Sequence, residues 1–456
     1  MDIEQLRNAI VGEVIVPGDP GYDEARRVWN GIIDRRPAVI ARCAGLADVV
    51  EVVRFAREHP IEVSIRGGGH QIAGSAVCDE GLVIDLSTMN GVFVDPVART
   101  ARVQAGARWR DVDRATQCFG LATTGGEVSE TGVAGLTLGG GMGLTQRAFG
   151  LACDGLRSIE IVTADGVVRT ASPHEHPELF WAARGGGRGL GVVTAFEFGL
   201  HPLGPDVALH QTAFDYADAP AGMRAWRDAA LAAPETISPE LMLLPIPPDP
   251  EIPEEVHGQH VFMTAELFAG DPADARPAFA PFTTLGREVV DLSGTMPYVA
   301  IQSSFDPLAP AGGRYYFKSH MLDELSDAAI DELLACDRER PAVGSGFILV
   351  VIRTLGGAID RVSADESAFA HRGARFNLSF DAMWEDPADD AAMIGWCRAT
   401  WERMQKYANG GVYVNFAGFD DEADIASTMG AHATRLAEVR GRYDPAGLFD
   451  GAARRP

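Results

Sequence analysis

At 456 residues the chain is too long for one ordinary core, so two domains or one large α/β unit is expected. Hydrophobic residues make up 46% and charged residues 23%, ordinary values for a water-facing globular protein. The formal net charge of −25 argues against nucleic acid and anionic membrane surfaces as partners.

The N-terminus, Met-Asp-Ile-Glu-Gln-Leu-Arg, has no basic region leading into an apolar core, so it does not read as a signal peptide. No apolar stretch approaches the ~20 residues needed to span a bilayer. Cys43, Cys78, Cys118, Cys153, Cys336 and Cys397 are scattered and read as free thiols, which suits a cytoplasmic protein. His174 and His176 lie in a polar, proline-containing loop, and no metal site is expected.

Residues 13–16 predict a strand, 22–30 a helix with Trp29 packed inward, 38–41 a strand and 47–58 an amphipathic helix. An apolar run from Ile61 to Ile65 then opens into Gly67, Gly68, Gly69, His70, Gln71 and Gly74. A strand ending in consecutive glycines presents bare backbone N–H groups that can approach an anion. Strands follow at 82–86, closed by Asp85 and Ser87, and at 91–94 and 100–104, then a helix over 108–119. A second glycine cluster fills 125–143 and leads into a short helix at 143–149. Residues 157–163 and 167–171 form a hairpin with Asp165-Gly166 at its tip. After a short helix at 178–183, a third cluster at 184–191 precedes a long strand to Leu200. That strand argues against a dinucleotide fingerprint, in which a helix would follow the glycines.

The pattern changes near residue 203. Helices at roughly 220–232, 271–281, 325–336 and 387–407 alternate with strands near 208–214, 258–266, 312–320, 345–352 and 374–382, and proline-rich connectors run from Pro245 to Pro253. This order suggests an antiparallel sheet backed by helices, inserted as a second domain. Residues 1–202 form the first domain, 203–410 the insert, and 411–456 return to the first. Three glycine-dense loops beside strands are costly in chain entropy and suggest a long, phosphate-bearing ligand closely lined by backbone.

These motifs, strongest from Arg66 to Thr194 and in Tyr413-Val414-Asn415 plus Arg442-Tyr443-Asp444-Pro445, resemble the vanillyl-alcohol-oxidase/PCMH flavoproteins in their berberine-bridge-enzyme-like branch. Bacterial 6-hydroxy-D-nicotine oxidase and the enterocin flavoenzyme are the members most similar in look. The resemblance implies an α+β fold: a two-part PCMH-type FAD-binding domain with an inserted substrate domain.

It also implies FAD bound covalently through His70 to the flavin 8α carbon. The position that often carries a second, cysteinyl link is Val128, which cannot form a thioether, so a single attachment is expected. By the same resemblance Arg66, Gly67, Gly68, Gly69, Gln71, Gly74 and Ser87 bind the cofactor. Gly126, Val128, Thr131, Gly132, Gly135, Leu136, Gly139, Gly140 and Val193 line it further along. Tyr413 and Asn415, read as an extended segment with both side chains on one face, approach the flavin. Thr131 and Leu136 match positions on the oxygen side.

The catalytic base is sought in the insert's sheet, where Tyr315, Tyr316, His320, Arg353 and Asn377 lie in strand-like runs. Tyr316 and His320 are the chosen candidates. The expected function is an FAD-linked oxidase that takes a hydride from a small hydroxyl- or amine-bearing metabolite and passes electrons to O2. An N5-oxide oxygenase acting on a polyketide-like substrate is the alternative, and a flavin-binding protein without turnover is the rival from another class. A monomer or homodimer is expected.

Overall fold

The computed structural model describes residues 2–449 apart from 251, 343, 345 and 420–428. Part of the expected 411–456 segment therefore lies outside the described residues. Among the described residues, nineteen strands carry the architecture.

The first sheet holds β1 (Glu13–Ile15), β2 (Val39–Arg42), β3 (Val63–Arg66) and β4 (Leu82–Asp85), in the order β1-β2-β4-β3. Its β2, β4 and β3 are parallel. The parallel crossover is helix α1 (Leu46–Glu58), whose Val49, Val52, Val53, Phe55 and Ala56 are buried. The second sheet uses β5 (Val92–Asp95) and β6 (Thr100–Gln104), and then, beyond the short β7 (Leu121–Ala122), β8 (Leu156–Val162), β9 (Val168–Ala171) and β10 (Val192–Gly199). Its order is β5-β6-β10-β8-β9, antiparallel throughout. β7 pairs with β11 (His201–Pro202). Helix α2 (Trp109–Gln117) precedes the second glycine cluster, and α3 (Val133–Leu138) lies within it.

The third sheet has eight antiparallel strands: β12 (Asp206–Asp215), β13 (Ile237–Pro245), β14 (His260–Phe268), β15 (Glu288–Asp291), β16 (Gly294–Pro297), β17 (Arg314–Leu322), β18 (Phe347–Thr354) and β19 (Phe376–Trp384). The order is β15-β12-β14-β13-β18-β19-β17, and β16 pairs with β12. Helices α4 (Ala219–Ala232), α5 (Tyr298–Gln302), α6 (Asp327–Asp337) and α7 (Asp390–Met404) complete this region. Met223 and Trp226 of α4, Ile330 and Leu333 of α6, and Met393, Trp396 and Cys397 of α7 form one core with Leu241, Ile352, Leu378 and Phe380 of the sheet. The opposite face packs Met242, Leu349, Val351, Tyr315 and Met383 with Trp29 and Ile72 of the first region. Each strand therefore sends alternate residues to the helices and to the glycine-rich region. This is the expected α+β arrangement, a PCMH-type fold with an antiparallel sheet backed by helices.

Several local expectations are corrected. The helix expected over 22–30 is only Tyr22–Ala25, although Trp29 does pack inward. The helix expected over 271–281 is broken into short 3-10 pieces around Arg276–Phe279. Central strand β13 was missed because Pro239 and Pro245 interrupt it, and proline lacks a ladder donor. Tyr413-Val414-Asn415 is not extended: Val414–Phe416 is a 3-10 turn.

Candidate active site

Two of the glycine clusters meet backbone to backbone. β3 ends at Arg66 and the chain passes directly into Gly67 and Gly68. A Cβ on Gly68 would collide with Gly132, and one on Gly132 would lie 2.5 Å from the Gly68 nitrogen. A Cβ on Gly67 would sit 2.7 Å from the Ala105 carbonyl oxygen. This crossing needs glycine at both 68 and 132, because no side chain fits between the two segments. Gly69 and Gly74 lie at φ +67° and +70°, which turns the loop that carries His70.

Asn30 fixes that loop. Its Nδ2 donates to the Ile72 and Tyr315 carbonyls, each at 2.8 Å, and its Oδ1 accepts from the Tyr315 N–H at 3.1 Å. The imidazole of His70 stacks on Trp29 with centroids 4.1 Å apart, and Trp29 stacks in turn on Tyr315 at 3.7 Å. His70 Nε2 is enclosed and has no hydrogen-bond partner. Burial, with the Arg108 guanidinium second, pushes its pKa down to about 3. The ring is thus neutral at physiological pH.

Other expected residues take more structural positions. Arg66 spends its guanidinium on Asp85, at 3.2 and 2.6 Å, and on the Ala25 and Arg27 carbonyls. Its side chain is therefore scaffold rather than ligand donor. Gln71 accepts from the Ser75 N–H at 3.2 Å, and Ser87 is exposed at the end of β4. Val193 lies in β10 beside a register irregularity with β8. Thr131 and Leu136 converge on Gly126: a Cβ there would lie 3.1 Å from Leu136 Cδ1 and 3.6 Å from Thr131 Cβ. Val128 accepts the Thr131 N–H through its carbonyl at 3.1 Å. Gly135 is exposed on α3 with no neighbour within 4 Å of a Cβ position. A Cβ on Gly139 would collide with Asn415, and one on Gly140 would lie 2.8 Å from Phe369.

Tyr413 and Asn415 do come together, by a turn rather than a strand. Asn415 Nδ2 donates to the Tyr413 hydroxyl oxygen at 2.8 Å and to the Leu136 carbonyl at 3.0 Å. The same hydroxyl accepts the N–H groups of Gly141 and Met142 at 3.1 and 2.9 Å. The pair thus holds the far end of the second glycine cluster.

Tyr316 and His320 are corrected. Both lie on the helix-facing side of β17. Tyr316 accepts from Arg398 Nε at 3.2 Å, and His320 stacks on Trp401 at 4.8 Å with Nε2 2.8 Å from its carbonyl oxygen. The residues facing the glycine region are their odd-numbered neighbours, Tyr315 and Phe317.

What the sheet presents there instead is a buried acid cluster. Arg353 of β18 makes a two-pronged pair with Glu127 of the second glycine cluster, Nε–Oε1 2.6 Å and Nη2–Oε2 2.7 Å. Its Nη1 donates to Ser379 Oγ at 3.0 Å, and that hydroxyl donates to Asp381 Oδ2 at 3.2 Å. The Phe416 ring lies 4.8 Å from the guanidinium carbon. Glu240 of β13, cross-strand from Arg353, hydrogen-bonds Glu127. Burial pushes Glu127 up, but Arg353 more than offsets it and holds the carboxyl below its ordinary value. Burial and the neighbouring Glu127 charge push Glu240 well up. Burial pushes Asp381 up to about 7. Of this group only Arg353 was among the residues singled out from sequence; Glu127, Glu240, Ser379, Asp381 and Asn30 were missed. Glu127 sits inside Gly-Gly-Glu-Val-Ser-Glu, where a carboxylate among glycines was the available signal.

A family model described as an FAD binding domain matches residues 37–172. FAD-linked oxidoreductase pgmH of Aspergillus terreus is 30% identical over 472 residues, covering 97% of this chain and 94% of that protein. The chain belongs to the FAD-linked oxidoreductases. BBE-like 1 of Physcomitrella patens superposes with a TM-score of 0.87 at 23% identity, covering 98% of both chains. 6-Hydroxy-D-nicotine oxidase of Arthrobacter nicotinovorans superposes with a TM-score of 0.84 at 26% identity, covering 96% of both. This FAD-linked oxidoreductase has the berberine-bridge-enzyme-like fold. Its residues fit FAD: bare backbone at Gly67, Gly68 and Gly132 suits close approach by a pyrophosphate, and His70 Nε2 offers an unpartnered buried nitrogen. Among the described residues, no helix is long and apolar enough to cross a membrane, and no group of three or more His, Cys, Asp or Glu could hold a metal.

Proposed function

We propose that this FAD-linked oxidoreductase is an oxidase of a small hydroxyl- or amine-bearing molecule, with Asp381 as the proton acceptor. The division into cofactor-binding residues 1–202 and 411–456 and substrate-binding residues 203–410 belongs to this reading. So does a single attachment of FAD through His70 to the flavin 8α carbon, because Val128 offers no thiol. Gly67–Gly69, Gly74, Gly126, Gly132, Gly135, Gly139, Gly140 and Val193 line the cofactor, and Tyr413 with Asn415 positions its glycine segment. When bound, FAD accepts the two electrons removed from the substrate and passes them to O2.

The observation that carries this reading is the Asp381 environment. Its Oδ1 has no hydrogen-bond partner. Ser379 Oγ, itself held by Arg353 Nη1, donates to Oδ2 at 3.2 Å. A carboxyl pushed up to about 7 is partly ionised at neutral pH and basic enough to take a substrate O–H or N–H proton. Arg353, ion-paired to Glu127, stays cationic and limits the cost of the negative charge.

Asp381→Asn keeps the shape and removes the base. We expect FAD to remain bound while anaerobic flavin reduction by substrate falls about 10²–10⁴-fold. Unchanged reduction in Asp381→Asn would sink the assignment. The N5-oxide alternative rests on Val128, Thr131 and Leu136, the last two of which meet at Gly126. A persistent altered flavin spectrum after reoxidation by air favours it; hydrogen peroxide formed one-to-one with product favours the oxidase.

A further inference from the structure

Glu127 comes from the second glycine segment, yet the partners of its carboxylate, Arg353 of β18 and Glu240 of β13, stand on the eight-stranded sheet. The backbone on either side of Glu127 is held from the same region. Gln302 Nε2 donates to the Gly126 carbonyl at 3.4 Å. Asp306 accepts the Ser129 N–H at 2.8 Å and the Ser129 hydroxyl at 2.6 Å. Glu127 is therefore fixed through its neighbours' backbone as well as through its own carboxylate.

What Glu127 fixes is the aim of Arg353. The register sets Arg353 across from Asn377, whereas Asp381, further along β19, lies across from Leu349 on β18 and Phe317 on β17, neither of them charged. The guanidinium commits Nε and Nη2 to Glu127, and its remaining Nη1 donates to Ser379 Oγ at 3.0 Å. That hydroxyl donates onward to Asp381 Oδ2 at 3.2 Å. Asp381 thus meets the cation only through one neutral hydroxyl. The other titratable groups packed around it leave that arrangement in place. Burial and the Glu127 charge push Glu240 well up, so it hydrogen-bonds Glu127 as an acid and does not compete for Arg353. Lys318 of β17 points to the opposite face, with its ammonium 4.3 Å from the Trp401 ring centre. Cys397 of α7, on the helix side, is a thiol that burial pushes up.

An arginine that meets an aspartate through two nitrogens holds it ionised and makes it a poor proton acceptor. Here the two-pronged pair is made with Glu127 instead. We propose that Glu127 is a positioning residue for the proton acceptor: by taking both prongs of Arg353 it neutralises the guanidinium and leaves Asp381 a hydroxyl in place of a salt bridge. The glycine segment thereby sets the strength of a base that stands on the sheet. The inference rests on Asp381 as the proton acceptor, as proposed above.

The test needs no substrate. The FAD-loaded enzyme is titrated with pH while the infrared C=O stretch of its protonated carboxyls is followed, and the Asp381 band is assigned by its loss in Asp381→Asn. In wild type the band should titrate near pH 7. Glu127→Gln leaves an unneutralised guanidinium one hydroxyl from Asp381, and the midpoint should fall by about one to three pH units. Glu127→Gln/Arg353→Met removes both charges, and the midpoint should return to the wild-type value or above. Asp306→Ala, which loosens the backbone beside Glu127 without stranding a charge, should lower the midpoint by less; it decides the matter if Glu127→Gln fails to fold. An unmoved midpoint overturns the proposal, as does a midpoint that stays low in the double variant or the absence of any band that Asp381→Asn removes. If the midpoint does not move but Asp381→Asn still abolishes flavin reduction, the oxidase reading stands and only the role of Glu127 falls. If Asp381→Asn leaves flavin reduction unchanged, the proton-acceptor reading itself falls.

Discussion

The two halves of the site are built from different materials. The glycine-rich half is made of backbone: Gly68 crosses Gly132, Gly139 abuts Asn415, and the Tyr413 hydroxyl caps two N–H groups. The sheet half is made of side chains: Glu127, Glu240, Arg353, Ser379 and Asp381 meet in one hydrogen-bonded group. A large cofactor shared across a family can be lined by backbone, which leaves a fixed glycine spacing. A substrate is met by side chains, which can change without changing the fold.

The sharpest break in that comparison is His70→Ala. His70 is the side chain through which the backbone half is proposed to bond its cofactor. Acid-denatured wild type should stay yellow and carry the mass of FAD, and His70→Ala should lose both completely. A yellow His70→Ala pellet would show the attachment is elsewhere. Next is Gly68→Ala, which forces a methyl into the crossing with Gly132. Overpacking there should cost about 1–3 kcal/mol of stability, read by denaturant melts, with lower FAD content. Full stability and normal FAD content would mean that the crossing is slack. The smallest effects should come from Tyr316→Phe and His320→Gln, on the helix side of β17. Each should leave the pH profile of flavin reduction unchanged. A shifted profile would return either residue to the chemistry.

Much of the backbone half was legible in the sequence, because its signal is local. Arg66 to His70 announces a strand opening into a cradle, and the glycines between 125 and 143 announce close approach. The Tyr413–Asn415 pair was legible as a motif but not as geometry, since a 3-10 turn brings the side chains together as a strand would. The sheet half was not legible, for two physical reasons. Its strands are buried on both faces, so polarity does not reveal which parity faces the site, and a one-residue error moves every choice to the other side. That is how Tyr316 was taken in place of the face that carries Tyr315. The acids are also far apart in sequence, and only the pairing of β13, β18 and β19 assembles them. Arg66 shows the converse: a motif residue beside the cradle that works for Asp85 and the scaffold.

The most direct test of the account is the pH dependence of anaerobic flavin reduction in wild type and Asp381→Asn. A proton acceptor works only when ionised, so the wild-type rate should rise with pH and level off above about 7. That limb should vanish in Asp381→Asn. The same limb in the variant, at an undiminished rate, would show that Asp381 does not take the substrate's proton and that the acid cluster is structural.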